Sequence, residues 1–144
     1  MSNVLISDGL IKTIRTLDAR IDRVLYESLD DPGVSPEAGV QLIKARHYVS
    51  LLRANLENIR DLLASEPEAT AFAGKPWPHV AGFLKSSCRS LEHHAGAVDC
   101  SFESFARRDV WNSARLQVQD LAPAIKRIAD RLHALARASH ASVE

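Results

Sequence analysis

The chain has little of what most catalytic and metal sites need. Its 144 residues include two cysteines, six histidines, six glycines and six prolines. The spacings Glu-x-x-His, His-x-x-x-His and Cys-x-x-Cys, which place two metal ligands side by side, do not occur. A glycine-rich phosphate loop and a nucleophile elbow are also missing. We therefore predict no metal and no cofactor, and we favour a protein that is not an enzyme.

Signals for membrane insertion, export and general nucleic-acid binding are also absent. No apolar run approaches the roughly 18 to 20 residues that span a bilayer, and residues 1–10 lack a basic region followed by a long apolar stretch. A net charge of zero gives no support for a protein that must neutralise many phosphates. We therefore expect a cytoplasmic protein without membrane association, with nucleic acid as a disfavoured partner.

The two cysteines lie twelve residues apart in a stretch with helical periodicity. That spacing is about 18 Å along a helix, whereas a disulfide needs Cα atoms within about 7 Å. We therefore predict that they do not bridge. Cys88 falls on the apolar stripe and is expected to be a small core residue, and Cys100 is expected to lie away from the stripe.

Four stretches of the chain repeat apolar residues at alternating spacings of three and four. A period near 3.5 is typical of a helix that buries one stripe against neighbouring helices. We predict a single all-α domain, 1–144, folded as an elongated antiparallel four-helix bundle. The four seams are Leu10, Ile14, Leu17, Ile21 and Val24; Leu42, Ala45, Val49, Leu52, Leu56, Ile59 and Leu63; Leu84, Cys88, Leu91, Ala95, Val98, Phe102 and Phe105; and Trp111, Ala114, Val118, Leu121, Ile125, Ile128, Leu132 and Leu135.

Capping and breaking residues predict the ends of the first two helices. The first should begin between Ser2 and Asp8 and stop before residues 30–33, which contain proline and glycine. The second should begin at Pro36, because proline at the first helical position loses no needed donor, and end near Ala64. A capping-box spacing at residues 65–68, followed by a glycine at position 74, predicts a short extra helix in the next connector.

The second half of the chain predicts two long helices joined by a tight reversal. The third should run from about Pro78 to Arg107 and the fourth from about Val110 to Ser139, with Asp109 as the cap between them. An alternative places the break at residues 96–99 and gives five shorter helices. The seam stays in phase across Pro123, which favours a kink over a break in the fourth helix.

The outer side of the predicted third helix has few of the charged side chains that ordinary exposed faces carry. At about 100° per residue, its members fall within about 60° of His93. Small uncharged side chains on a surface indicate that another backbone comes close. We predict contact with a second copy or a partner helix, with a solvated face or a contact with the connector as the alternative. The members are Ser86, Arg89, Ser90, His93, Gly96, Ala97 and Cys100.

Two kinds of histidine chemistry are conceivable on the same helix. His93, with Gly96 and Ala97 leaving room one turn on, resembles the layout of histidine phosphotransfer domains, which implies phosphoryl acceptance; the usual lysine after the histidine is missing. The spacing from Arg89 to His94 resembles that of HEPN-type ribonucleases. That resemblance implies His94 as general base and Arg89 stabilising phosphate charge across a dimer, although Ser90 replaces the frequent asparagine or aspartate.

The predicted fourth helix carries a basic stripe. In an antiparallel bundle the first and fourth helices are neighbours, so we expect the stripe to pair with acidic residues of the first helix, Asp18, Asp22 and Glu27. An acidic partner and a nucleic-acid backbone are the alternatives. The stripe consists of Arg108, Arg115, Gln119, Lys126, His133 and Arg137.

One large aromatic residue, Trp77, lies between two prolines in the connector before the third helix. It is expected either to close one end of the core or to anchor a partner, and the first reading is favoured. Taken with the small-residue face, the sequence predicts a regulatory or adaptor protein that binds protein and self-associates. A histidine-dependent activity is the alternative.

Overall fold

The computed structural model describes residues 5–65, 75–98, 102 and 105–143, with the side chains of the last range described for 106–138. These residues form four α-helices and no strand. The predicted short helix of the connector falls on residues 66–74, which lie outside the described residues. The helices are α1 (Asp8–Ser28), α2 (Pro36–Ser65), α3 (Trp77–Gly96) and α4 (Phe105–Val143).

Serine side chains fix the starts of the first two helices. The Ser7 hydroxyl accepts a hydrogen bond from the Leu10 amide at 3.1 Å, and the Ser35 hydroxyl accepts one from the Ala38 amide at 3.2 Å. Each bond satisfies one of the backbone donors that a helix start leaves without an intrahelical partner. Pro36 occupies the first position of α2, as the sequence predicts.

Each helix packs against two neighbours, so that α1, α2, α3 and α4 form a closed ring in chain order. Ion pairs give the directions: Asp8, at the start of α1, meets Arg60 near the end of α2. Lys85 of α3 likewise meets Asp130 far along α4. Sequential neighbours running in opposite directions make an antiparallel four-helix bundle.

The predicted seams converge on one continuous core. Every seam residue whose side chain is described is buried, except Leu10, Leu63 and Leu135, which are half-buried and pack against the core. Removing these stripes from water is the main favourable contribution to folding. The helices of 30 and 39 residues are about 45 and 58 Å long, which gives an elongated bundle.

The predicted reversal at Asp109 is wrong. α3 ends at Gly96, where the amide of Ala97 bonds back to the carbonyls of His93 and His94, and α4 already begins at Phe105. Asp109 lies inside α4. The seam continues through Val98 and Phe102, which are buried although neither belongs to a helix.

The break therefore lies near the alternative position, but the described residues contain four helices rather than five shorter ones. α4 continues through Pro123, as the in-phase seam predicts. Within the described ranges, no helix combines the length and the apolar character needed to cross a membrane.

Candidate functional site

The predicted surface on α3 is open in the structure. Ser86, Arg89, His93 and Gly96 are exposed, and Ser90 and Ala97 are half-buried. Cys100 lies outside the described residues. Gly82 and Phe83, one turn before Ser86, are also exposed on this side of the helix, although neither is among the predicted residues. We call the set Gly82, Phe83, Ser86, Arg89, Ser90, His93, Gly96 and Ala97 the α3 face.

The α3 face is smooth and carries one charged side chain. A Cβ atom built at Gly82 or Gly96 would meet nothing within 4 Å. Phe83 leaves 41% of its surface exposed, an unusual fraction for so large an apolar group. The charged residue, Arg89, forms no hydrogen bond or ion pair with any residue that the structure describes. A second backbone could therefore approach this face closely.

Four rings form an array across the boundary between α2 and α3. His94 stacks on Tyr48, with ring centroids 5.6 Å apart and planes inclined by 7°. His93 meets the edge of His94 at 5.0 Å, and His47 meets the edge of Tyr48 at 5.1 Å. The array was not predicted, because it joins residues of two helices whose rotation about their axes a single sequence does not give.

The surroundings of His94 favour its neutral form. Burial lowers its pKa, and the nearby positive charges of His93 and Lys44 lower it further. Its Nδ1 lies 2.7 Å from Oε1 of Gln41. In the neutral tautomer that donates this hydrogen bond, Nδ1 carries the proton and Nε2 is the basic atom. A neutral imidazole with a basic Nε2 can accept a proton near neutral pH.

The structure does not bring Arg89 and His94 together. They are five residues apart on one helix, about 140° around its axis, and no hydrogen bond joins these two described residues. Arg89 points to the exposed surface, whereas His94 turns toward α2. Within one chain the pair does not form a catalytic site. His93, in contrast, is exposed and in edge contact with His94.

A polar network fills the outer groove between α1 and α2. Asp18, only 8% exposed, accepts hydrogen bonds from the Ser50 hydroxyl at 3.0 Å and from Arg53 Nη1 at 2.8 Å. This bond raises the pKa of Arg53, and the hydrogen bond from Arg15 lowers the pKa of Glu57. The groove, of about 510 Å³, is lined by Asp18, Ala19, Asp22, Arg46, Ser50, Arg53, Ala54 and Glu57.

The basic stripe of α4 does not pair with the acidic residues of α1 as predicted. Those acids lie mainly opposite the arginines of α2. The pairs are Asp18 with Arg53, Asp22 with Arg46, and Glu27 with Arg23 and with Arg107 at the start of α4. Arg107 precedes the stripe and does not belong to it.

The residues of the stripe have different surroundings. Lys126 pairs with Glu92 of α3 at 3.3 Å, and Arg108 donates to the carbonyl oxygen of Phe102 at 3.0 Å. Arg115 and Arg137 form no ion pair with any described residue. The stripe is therefore not one continuous binding surface.

Two further predicted residues lie in the core. Trp77 is 3% exposed and packs in the core at the first position of α3, so it does not belong to the exposed surface. Cys88 is 1% exposed, and burial raises the pKa of its thiol to about 11. Such a thiol is inert at neutral pH. Among the described residues, no three histidine, cysteine or acidic side chains gather as metal ligands.

No family model, curated protein or solved structure matches this chain. The residues of the α3 face, the ring array and the α1–α2 groove are therefore interpreted from their own geometry.

Proposed function

We propose that this chain is a regulatory or adaptor protein, acting in the cytoplasm by protein–protein interaction, and that it forms a homodimer through the α3 face. The observation that carries the proposal is the composition of that face. Over the residues from Gly82 to Ala97, the exposed side of the helix presents one unpaired charge, that of Arg89, because Lys85 at its edge pairs with Asp130 of α4. Exposed helix faces are ordinarily covered with charged residues.

Small side chains matter because they set how closely two helices approach. The distance between packed helix axes depends on the side chains at the contact, and glycine and serine allow the shortest distances. Most soluble oligomers are two-fold symmetric, so each copy offers the same surface to the other. An antiparallel crossing at Ser86 sets Gly82 opposite Ser90, and Phe83 opposite Arg89, in the partner copy. An arginine over an aromatic ring is an attractive pair.

The test is the mass of the protein in solution. Wild-type protein should have twice the chain mass of 15.9 kDa by light scattering, and the variant Gly82→Glu/Ser86→Glu should have the mass of one chain. The matched control, Ser113→Glu/Gln119→Glu, adds the same charge to exposed positions of α4 and should remain a dimer. Wild-type protein at the mass of one chain contradicts the proposal.

A histidine-dependent activity is the second candidate, and the neutral His94 with its basic Nε2 is the observation that favours it. Phosphoryl acceptance would use the exposed His93. RNA cleavage would need Arg89 from the partner copy, because within one chain Arg89 and His94 face different ways.

The variant His93→Ala/His94→Ala distinguishes the two candidates. It removes any such activity and still permits the dimer, because alanine at position 93 keeps the α3 face small and uncharged, whereas Gly82→Glu/Ser86→Glu separates the copies. Wild-type protein that neither accepts phosphate from a phosphorylated donor domain nor degrades RNA excludes the second candidate.

A further inference from the structure

Four large apolar side chains are exposed together at one end of the α1–α2 groove. They are four of the six large apolar side chains that are exposed among the described residues, with Tyr26 at 76%, Leu29 at 71%, Ile43 at 54% and Val40 at 46%. The two others of this kind, Phe83 and Leu116, lie on α3 and α4. Clustered exposed apolar groups of this size mark binding surfaces more often than scattered ones do.

The register between the helices places these four residues at the same end of the α1–α2 pair. The ion pair of Asp22 with Arg46 fixes the pairing of α1 and α2. Tyr26 and Leu29 lie one and two turns beyond Asp22, and Ile43 lies one turn before Arg46.

Gly39 lies two turns before Arg46, and a Cβ atom at this glycine would meet nothing within 4 Å. We call Tyr26, Leu29, Val40 and Ile43 the apolar end. It lies next to Asp22 and Arg46, which line the α1–α2 groove.

Beside the turn that joins α1 and α2, the unpaired charge next to the apolar end is negative. Asp30 and Glu37, in and next to the turn between the helices, are both exposed and form no ion pair with any described residue. The nearby arginines are engaged, because Arg23 pairs with Glu27, and Arg46 pairs with Asp22. Lys44, one turn after Val40, is exposed and forms no ion pair with a described residue, but it lies toward α3, close to His94.

We propose that the apolar end binds an amphipathic helix of a partner protein, with apolar side chains on one face and lysine or arginine at the flanks. An apolar helix face laid into a groove is a recurring mode of recognition, with anchors at i, i+3 or i+4, and i+7. The apolar anchors cover Tyr26, Leu29, Val40 and Ile43, and the flanking cations meet Asp30 and Glu37.

A second copy of the apolar end does not supply the cations that Asp30 and Glu37 would pair with. Symmetric pairing of two apolar ends would face Asp30 and Glu37 with their own copies, and like charges in contact oppose association. The α3 face lies on a different helix. Binding at the apolar end is therefore independent of the proposed dimer and is tested separately.

The test uses a synthetic 18-residue peptide of leucine and lysine with all leucines on one helical face, labelled with fluorescein. Fluorescence anisotropy should show saturable binding to the full-length protein. A peptide of the same composition with shuffled order, and one with glutamate in place of lysine, should bind at least tenfold more weakly. Equal binding of the three peptides overturns the proposal, as does no binding of the first.

Two matched pairs of variants locate the binding. Leu29→Ser should weaken binding of the leucine–lysine peptide about tenfold, because burial of one leucine is worth about that factor. Leu116→Ser, at a leucine 61% exposed on α4, should leave it unchanged. Asp30→Lys/Glu37→Lys should weaken binding, whereas Asp109→Lys/Asp120→Lys, at exposed acids of α4, should not. Equal effects within either pair overturn the proposed location.

A homotypic contact would give a different result. In that case Leu29→Ser lowers the mass in light scattering while the peptide fails to bind, and the proposal of a basic partner helix is overturned. Loss of the dimer in Gly82→Glu/Ser86→Glu, with peptide binding retained, supports both proposals as separate properties.

Discussion

The α1–α2 groove and the α3 face are both exposed surfaces of one bundle, yet their charges differ sharply. The groove contains a ladder of ion pairs between helices, among them Asp18 with Arg53, Asp22 with Arg46 and Glu57 with Arg15. The α3 face has one charged residue, Arg89, which has no ion-pair partner among the described residues. The charges of the groove are used inside the chain, where they hold two helices in register.

In this protein, paired and unpaired surface charges have different consequences for binding. A charge that already has a partner adds little to binding another molecule, because that partner would have to be displaced. The places open to other molecules are those with few charges, such as the α3 face, or with unpaired charges of one sign, such as Asp30 and Glu37 beside the apolar end. The two proposals rest on these two places.

The largest effect on the groove should come from Asp18. Asp18→Ala should lower the free energy of unfolding by about 2 kcal/mol, because it leaves Arg53 and Ser50 without their shared acceptor. Asp22→Ala removes an exposed ion pair of the same kind, with side chains 51% and 56% exposed, and should cost less than about 0.5 kcal/mol. Urea unfolding of the two variants measures both. Equal costs would mean that burial does not distinguish the two acids.

A smaller effect of the opposite sign is expected on the α3 face. Gly82→Ala should raise the free energy of unfolding of the single chain by about 0.5 to 1 kcal/mol, because alanine restricts the unfolded chain and has open space in the helix. The same methyl group should weaken the dimer, since it keeps the partner backbone at a distance. Unfolding at low protein concentration and light scattering at high concentration measure the two effects. A loss of single-chain stability would show that the face is not open.

Sequence patterns predicted the parts of this protein that depend on one helix at a time. The seams and the start of α2 after Ser35 follow from spacing along the chain, and most of the α3 face follows from about 100° per residue. The cap of α1 is Ser7, which lies inside the predicted range for the helix start. The end of the third helix is predicted too late, at Arg107 instead of Gly96. Val98 and Phe102 continue the apolar spacing and are buried, although neither belongs to a helix.

Features that join two helices could not be predicted. Both α2 and α4 are neighbours of α1, so a count of charges does not tell which of them receives Asp18. The ring array and the apolar end depend in the same way on how α2 is rotated. A sequence signal for the apolar end does exist, because Tyr26, Leu29, Val40 and Ile43 are large apolar residues outside the seams.

The smallest expected effect is on the pKa of His94. This residue is half-buried at the boundary of α2 and α3, whereas its neighbour His93 on the α3 face is exposed. The pKa of His94 in the folded chain lies below the ordinary value of about 6.5, so between these two values the unfolded chain binds more protons. The contribution of His94 to stability is complete above about pH 6.5. It decreases as the pH falls through that value and levels off below the folded pKa.

NMR titration of the His94 ring checks this directly. The midpoint should lie below the ordinary value in the wild-type protein and should rise toward it in Tyr48→Ala, because the stacked ring that keeps water from His94 is gone. Tyr48→Phe keeps the stack and should leave the midpoint unchanged. A wild-type midpoint at or above the ordinary value would mean that His94 is solvated like an exposed residue, and that its burial against α2 does not favour the neutral form.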